Sequence, residues 1–142
     1  MFIMVDVETD GPCPGLYSIV SFGAVICSDP KKTFYGKCQP MSDKYIPEAL
    51  AISGISREEH ASYWHPKITF EEFKNWIEFN TSKGERPMFI SDNNGFDWQF
   101  INYYFHLCLG ENPFGFSSTN LGSLYKGLVG DTFKNFKHLR KT

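Results

Sequence analysis

The chain has 142 residues, 42% of them hydrophobic and 17% aromatic, and its 14 basic and 16 acidic residues give a formal net charge of −2. This composition suits one packed domain, and the slightly acidic balance excludes a protein that holds long nucleic acid mainly through a basic surface. No run approaches the roughly 18 apolar residues of a membrane-spanning helix, and the N-terminus lacks the basic region of a signal peptide. The four cysteines are widely spaced with no Cys-x-x-Cys pair, so we expect free thiols in a cytoplasmic protein that does not contact a membrane.

The first part of the chain predicts a strand-rich region. Residues 1–7 form an apolar run that ends in an acidic, glycine-containing segment, which indicates a strand followed by a loop. Residues 17–28 and 33–39 are rich in β-branched and aromatic residues, and Ser28-Asp29-Pro30 supplies a turn between them. These segments predict an antiparallel meander, and the polar stretch from Pro47 predicts only short helices.

Helices and strands then alternate in the prediction. A capping-box pattern at Thr69 and apolar residues at helical spacing predict a helix over 69–80. Residues 87–91 fit a short buried strand. The apolar stripe of residues 96–109 predicts a second long helix that ends at Gly110.

The last predicted elements are a strand within 114–120 and a helix over 121–129. Leu121, Leu124 and Leu128 of this helix are expected to face inward. The order of elements favours an α/β fold in which a mixed sheet, three antiparallel strands plus parallel strands, is flanked by helices. No internal repeat is present, so residues 1–142 are expected to form a single domain.

Two acidic residues stand at the end of the first predicted strand. Asp6 and Glu8 are two residues apart, so their side chains leave the same face with Cα atoms roughly 6.6 Å apart. Carboxylates at this spacing can share a metal site, and carboxylate-only sites suit hard cations such as Mg²⁺ or Mn²⁺. An Asp-x-Glu pair is also typical of an acidic turn, so the pair alone assigns no function.

Residues 6–11 also resemble the opening of a calcium-binding EF-hand loop. Such a loop has oxygen ligands at its first, third and fifth positions, glycine at the sixth and a bidentate Glu at the twelfth. The twelfth position here is Tyr17, the ninth is Pro14, and the preceding segment predicts a strand rather than a helix. These departures argue against an EF-hand.

A third acid, Asp97, stands at the start of the helix predicted over 96–109. An acid at a helix N-terminus is stabilised by the helix dipole, which explains Asp97 without any function. The same dipole keeps the carboxylate ionised and able to bind a cation. Asp97 alone therefore leaves both interpretations open.

In combination, these segments resemble the DEDD superfamily of 3′-to-5′ exonucleases. Val5-Asp6-Val7-Glu8-Thr9-Asp10-Gly11 resembles its first motif and Asn93-x-x-Phe96-Asp97 its second. Residues 47–56 resemble the segment that lies over the 3′ end of the substrate in these enzymes. Three later segments are similar to a ribonuclease T-like branch of small bacterial and phage exoribonucleases: Phe100-Ile101-Asn102, residues 109–115 and Leu124-Tyr125. The resemblance implies a ribonuclease H-like fold and hydrolysis of short single-stranded RNA or DNA.

The resemblance also implies roles for individual residues. Asp6, Glu8 and Asp97 would be the catalytic carboxylates and would bind two Mg²⁺ or Mn²⁺ ions. The implied substrate contacts to a single-stranded 3′ end are Thr9, Gly11, Ile55, Asn93 and Phe96. Trp64, in a polar stretch where core packing does not explain it, is a further residue expected to stack on a base. Relatives are often homodimers, so a homodimer is the assembly that the resemblance implies.

The third motif of the family is not found in this sequence. In relatives it supplies a histidine or tyrosine and a fourth acid, whereas His138 is followed only by Leu139-Arg140-Lys141-Thr142. We therefore expect the domain to lack the helix that carries this motif and the 142-residue form to be nearly inactive. Two rival interpretations remain: a catalytically inactive binding module of the same fold, and a different ribonuclease H-like nuclease or transposase-type enzyme that would not need the second motif.

Overall fold

The computed structural model of the protein describes residues 1–141 and contains one five-stranded sheet with helices packed on it. The strands are β1 (Phe2–Thr9), β2 (Ile19–Ile26), β3 (Asp29–Lys37), β4 (Met88–Ser91) and β5 (Ser118–Asn120). The helices are α1 (Pro47–Ile52), α2 (Arg57–Ala61), α3 (Pro66–Asn80), α4 (Asn94–Leu109) and α5 (Leu121–Val129), followed by a 3₁₀ helix at Lys137–Leu139.

The strand order of the sheet is β3-β2-β1-β4-β5. The first three strands form an antiparallel meander, and β4 and β5 add parallel to β1, which confirms the predicted mixed sheet. Strand β1 is central but its two neighbours differ in extent. It pairs with β2 along its length, whereas β4 pairs only with Phe2 to Met4. The second half of β1 therefore has a free edge on the β4 side.

Alternation along β1 decides which side chains enter the core. Ile3, Val5 and Val7 are buried, and the residues between them point to the opposite face. The buried face packs against α3 and α4 through closely spaced aromatic rings, such as Phe70 and Phe105 with centroids 4.9 Å apart. The carboxylates of β1 therefore stand on the other side of the sheet from this core.

Helix α3 begins at Pro66 rather than at Thr69, so the predicted capping box is wrong. The His65 side chain accepts a hydrogen bond from the Lys67 N–H at 3.1 Å, and proline in the first turn needs no N–H partner. Thr69 lies buried within the helix and its hydroxyl donates to the Lys37 carbonyl at 2.7 Å. This residue fastens α3 to β3 instead of beginning the helix.

Helix α5 has the predicted bounds, but its leucines do not face the core. No residue of this helix is buried, and Leu128 is 77% exposed. The leucines instead line a shallow apolar groove together with Tyr125 and with Phe136 and Leu139 of the C-terminal segment. The helical spacing was interpreted correctly, but α5 packs beside the short edge strand β5 and not over the sheet.

Several smaller predictions can now be compared with the structure. Gly110 ends α4 in the left-handed conformation with φ of 72°, as predicted. Strand β3 begins at Asp29, earlier than expected, and β5 is shorter than the predicted 114–120. The four cysteines are free thiols, as expected. Within residues 1–141, no helix combines the length and apolar character needed to cross a membrane.

Candidate active site

Asp6 and Glu8 project from the second half of β1, on the face opposite the core. Asp6 is exposed and Glu8 is partly buried, whereas Val7 between them is buried. This alternation follows from strand geometry and places both carboxylates on one side of the strand, as the sequence predicted. The free edge of β1 begins just before them.

Asp97 meets this part of β1 through a backbone hydrogen bond. It lies in the first turn of α4, 5% exposed, and its Oδ1 accepts the Val7 N–H at 3.0 Å. Strand β4 ends its pairing with β1 at Met4, so the Val7 N–H has no partner in a neighbouring strand on that side. Asp97 satisfies this donor, and the contact fixes its carboxylate next to the strand that carries Asp6 and Glu8.

The three carboxylates hold protons more tightly than isolated acids. Burial raises the pKa of Asp97 to about 6, against a lowering by the Val7 N–H, and repulsion from Asp6 adds a smaller rise. Burial also raises the pKa of Asp6, followed by repulsion from Asp92, and burial and Asp6 together raise the pKa of Glu8. The site therefore concentrates negative charge that the protein itself does not fully neutralise, which is typical of a functional site.

Asp92 is a further acid of this site that the sequence analysis missed. It follows the last residue of β4 and is close enough to raise the pKa of both Asp6 and Asp97. Its carboxylate forms an ion pair with Arg140 of the C-terminal segment, and both side chains are about half exposed. The carboxyl ends of parallel β1 and β4 meet at one edge of the sheet, so the position of Asp92 after β4 could have indicated that it lies near Asp6.

The acids lie near one another but do not form a complete metal-binding site. Across residues 1–141, no three side chains of the His, Cys, Asp and Glu type are placed so that they could hold a metal ion. The donor set nevertheless fits a hard divalent cation in its chemistry, since every nearby group is a carboxylate and their mutual repulsion would be relieved by a cation. The assignment of Asp6, Glu8 and Asp97 as metal ligands stays a prediction.

A cleft of about 440 Å³ lies beside the carboxylates and is mainly apolar. The end of β1 and the following loop form one wall through Val7, Glu8, Thr9, Gly11 and Pro12, Phe96 of α4 adds to it, and Ile46, Ala49 and Ile52 form the opposite wall. Ile46, Ala49 and Ile52 are spaced three residues apart, which places them on one face of α1 and the residue before it. This spacing is the sequence signal that would have identified them.

Three predicted substrate residues, Thr9, Gly11 and Phe96, line this cleft. Thr9 is buried and its hydroxyl donates to the Gly11 carbonyl at 2.8 Å, which holds the loop close to the strand. A Cβ at position 11 would stand 2.1 Å from the Tyr17 ring, so only glycine fits. The wall therefore depends on close backbone packing at Gly11.

Three other predicted residues lie outside the cleft lining. Ile55 is in the loop between α1 and α2. Asn93 precedes α4 and its carbonyl accepts the N–H groups of Phe96 and Asp97, both at 3.0 Å, so it fixes the start of the helix. Trp64 is 67% exposed and lines a separate depression with residues of β3 and α3. None of these three residues lines the cleft.

Comparison with known proteins identifies a curated relative. No protein-family model matches the chain. The 3′-5′ DNA exonuclease Cap18 of Escherichia coli is 42% identical over 129 residues, which cover 90% of this chain and 69% of Cap18. Both the identity and the shared length are sufficient to establish common membership of a family.

Solved structures agree on the fold. Escherichia coli exonuclease I, in metal-free and zinc-bound complexes with single-stranded DNA, matches with a TM-score of 0.69 at 20% identity, over 90% of this chain and 29% of that protein. Cell-death related nuclease 4 matches with a TM-score of 0.73 at 17% identity, over 99% of this chain and 51% of that protein. The chain thus spans about a third to a half of these structures, and they confirm the ribonuclease H-like mixed sheet. Together with the Cap18 relationship, this shows that the chain belongs to the 3′-to-5′ exonuclease family of nucleases, as its resemblance to the DEDD superfamily predicted.

Proposed function

We propose that this domain is a metal-dependent 3′-to-5′ exonuclease that removes nucleotides from single-stranded DNA. The observation that carries the proposal is the Val7 N–H to Asp97 Oδ1 bond, which holds a buried carboxylate against the part of β1 that carries Asp6 and Glu8. Glu8 itself lines the apolar cleft. The choice of DNA over RNA is supported by the name of the Cap18 relative, a DNA exonuclease. Discrimination between the two sugars would depend on contacts near one 2′-hydroxyl.

Asp6, Glu8 and Asp97 would hold two Mg²⁺ or Mn²⁺ ions, and their carboxylate oxygens suit such ions. When bound, the ions would supply an activated water and stabilise the departing 3′ oxygen. The residues of the chain would position the carboxylates and favour binding of the cations. Asp97 stays in place because it accepts the Val7 N–H. Burial raises the pKa of all three acids, and repulsion between neighbouring acids raises it further, which a bound cation would relieve.

The cleft would bind the last nucleotide of the strand. Its apolar walls, Phe96 on one side and Ala49 and Ile52 on the other, suit a nucleobase, since stacking and apolar contacts are tolerant of base identity. Helix α1 stands against the end of β1 and narrows one side of the cleft. A free strand end enters such a cleft more easily than the middle of a strand, which favours exonucleolytic cleavage.

Trp64 would contact the strand farther from its end, because the depression that it lines shares no residues with the cleft. The homodimer implied by the resemblance and the cytoplasmic location stay predictions. The general base also stays a prediction, because the third motif of the family is not found in residues 1–142.

The test is a single-turnover assay with excess protein, Mn²⁺ and a 5′-labelled single-stranded oligonucleotide, because single-turnover kinetics separate the chemical step from binding and product release. We expect successive loss of nucleotides from the 3′ end, no cutting of a circular single strand, and no activity with chelator. Internal cuts, or cleavage that survives chelator, would refute the proposal. Tight binding of the 3′ end with no cleavage would favour the inactive binding module, and a matched RNA strand decides the sugar preference.

A further inference from the structure

A second buried polar cluster joins Asp10, in the loop after β1, to Arg57 and His60 of α2. Asp10 and His60 are both fully buried, and the Arg57 side chain between them is 22% exposed. None of these residues lines the nucleotide cleft, and the proposed chemistry does not use them. A buried ionic cluster adds little net stability compared with apolar packing, so its retention calls for another role.

Arg57 joins three separate parts of the chain through its guanidinium. Its Nη1 donates to Asp10 Oδ2 at 2.6 Å and to His60 Nδ1 at 3.1 Å, and its Nη2 donates to the Ser42 carbonyl at 2.8 Å. The guanidinium also lies 4.4 Å from the centre of the Tyr45 ring. Because arginine can only donate, His60 Nδ1 is the acceptor, and His60 Nε2 donates to the Ile19 carbonyl at 3.0 Å.

Asp10 completes the connection to the cleft. Its Oδ1 accepts the Ser18 N–H at 2.6 Å, and its backbone carbonyl accepts the Ile46 N–H at 2.8 Å. Ile46 is both the residue that precedes α1 and a residue of the cleft wall. One residue of the β1 loop therefore holds the start of α1 through its backbone and the Arg57 guanidinium through its side chain.

Helix α1 depends on these attachments because it is weak by itself. It has six residues, no side-chain hydrogen bond at its N-cap, and Leu50 as its one buried residue. Isolated helices this short are not stable in water and take their position from what holds their ends. The cluster holds the start of α1 through the Ile46 N–H bond to the Asp10 carbonyl. It also holds α2, which follows α1 after residues 53–56, through Arg57 and His60.

From these contacts we infer that Asp10, Arg57 and His60 form a clamp that positions α1 as the wall of the nucleotide cleft, with Arg57 as the central positioning residue. The inference rests on the proposed function, because the wall has this role only when the cleft binds a nucleotide. Lysine cannot replace Arg57 fully, because a single ammonium group cannot reach Asp10, His60 and the Ser42 carbonyl in the fixed geometry of a guanidinium. The clamp keeps Ala49 and Ile52 in place before the substrate arrives.

The test measures binding of a short 5′-fluorescent oligothymidylate in chelator, where no cleavage occurs. The variants are Arg57→Lys, Arg57→Gln, and Asp10→Asn combined with Arg57→Gln, which removes both charges so that no buried charge is left unpaired. We expect the Kd to rise roughly tenfold in Arg57→Gln and in the double variant, because binding must then order α1. Arg57→Lys should fall between them and the wild type.

Hydrogen exchange separates positioning from a loss of stability. In the double variant the amides of α1 should exchange faster while those of α4 stay protected, and the thermal midpoint should remain near that of the wild type. The control is Ile77→Val, which loosens the core of α3 away from the cleft and should leave the Kd unchanged. A folded double variant with the wild-type Kd and a protected α1 would overturn the clamp. A wild type that binds 3′-hydroxyl and 3′-blocked strands equally would instead count against the proposed function.

Discussion

Asp10 and Asp97 are two buried carboxylates at the same end of β1, and their surroundings are opposite. Asp10 accepts a charged hydrogen bond from Arg57 at 2.6 Å and a backbone N–H from Ser18. Asp97 accepts the Val7 N–H, and burial raises its pKa to about 6, with smaller contributions from the neighbouring acids Asp6 and Asp92. One carboxylate is neutralised inside the protein and the other is not.

The difference separates a structural acid from a functional one. Burial of a charge without a counter-ion destabilises a protein, so such a group persists only where something else, such as a bound cation, stabilises it. A paired acid such as Asp10 already has its cation within the chain. Substitutions should therefore have opposite effects on stability in the two clusters, and only the Asp6, Glu8 and Asp97 cluster should respond to metal.

The largest effect is expected for Asp6→Asn, the exposed carboxylate of the unpaired cluster. Loss of a ligand should remove several kcal/mol of transition-state stabilisation, so the single-turnover rate with Mn²⁺ should fall by roughly 10²–10³ or more. Mn²⁺ affinity, measured by calorimetry, should fall as well. Asp29→Asn, at the half-buried start of β3, is the control and should keep both properties. Retained Mn²⁺ affinity in Asp6→Asn would show that the metal is held elsewhere.

Next in size is the effect of Asp10→Ala on stability. This change leaves Arg57 without its carboxylate and the Ser18 N–H without an acceptor, and we expect a loss of about 2–4 kcal/mol in urea unfolding. The expected loss is below the largest values for buried pairs because Arg57 is partly exposed and can reach water. A loss of less than about 1 kcal/mol would mean that the cluster is as loosely held as a surface ion pair.

Asp97→Asn should have the opposite effect on stability and stabilise the protein. The folded pKa of Asp97 lies near 6, above its ordinary value of 3.8, so the protonated form stabilises the fold and this contribution is lost as pH rises through about 6. Asparagine keeps an oxygen for the Val7 N–H and carries no charge. In chelator near neutral pH the variant should be more stable than the wild type by up to about 3 kcal/mol, and the gain should shrink toward about pH 4. Urea unfolding at several pH values measures this, and a destabilised variant at neutral pH would contradict it.

The carboxylates could be predicted from the sequence because local geometry controls them. Alternation along β1 places Asp6 and Glu8 on one face, and the helix start places Asp97 at the carboxyl end of a parallel strand. The mixed sheet was predictable because a meander followed by alternating helices and strands has few arrangements. In these regions, patterns within a few residues already specify where the acidic side chains lie.

The clamp and the cleft wall could not be predicted, because they depend on contacts between distant residues. Arg57 and Asp10 are 47 positions apart, and neither residue type indicates the other in a sequence. The leucines of α5 show the same limit, since helical spacing identifies an apolar face but not what covers it. Asp92 lies between these cases: its strand end was predictable, while its ion pair with Arg140 was not.

The smallest expected effect is the pH dependence contributed by His60. Burial lowers the pKa of His60 below its ordinary value of 6.5, and Arg57 adds to this, against raising contributions from Asp10 and from the Ile19 and Cys38 backbone. The neutral ring is the form that accepts from Arg57. Stability from neutral His60 is therefore complete above about pH 6.5 and lost as pH falls below it, because the unfolded chain takes up the proton first.

This trend runs against that of Asp97, which stabilises the fold as pH falls, so the two partly cancel in the wild type. In Asp97→Asn the titration of Asp97 is absent, and only Asp6 and Glu8, whose pKa values are also raised, still oppose His60. Stability should therefore decrease more than in the wild type as pH falls from about 7 to about 5. Adding His60→Gln should flatten that decrease, because glutamine can still donate to the Ile19 carbonyl and accept from Arg57 but does not titrate. If stability decreased as steeply with falling pH in the double variant, the protons would be binding to another group. Protonation of His60 would then not explain the loss of stability in acid.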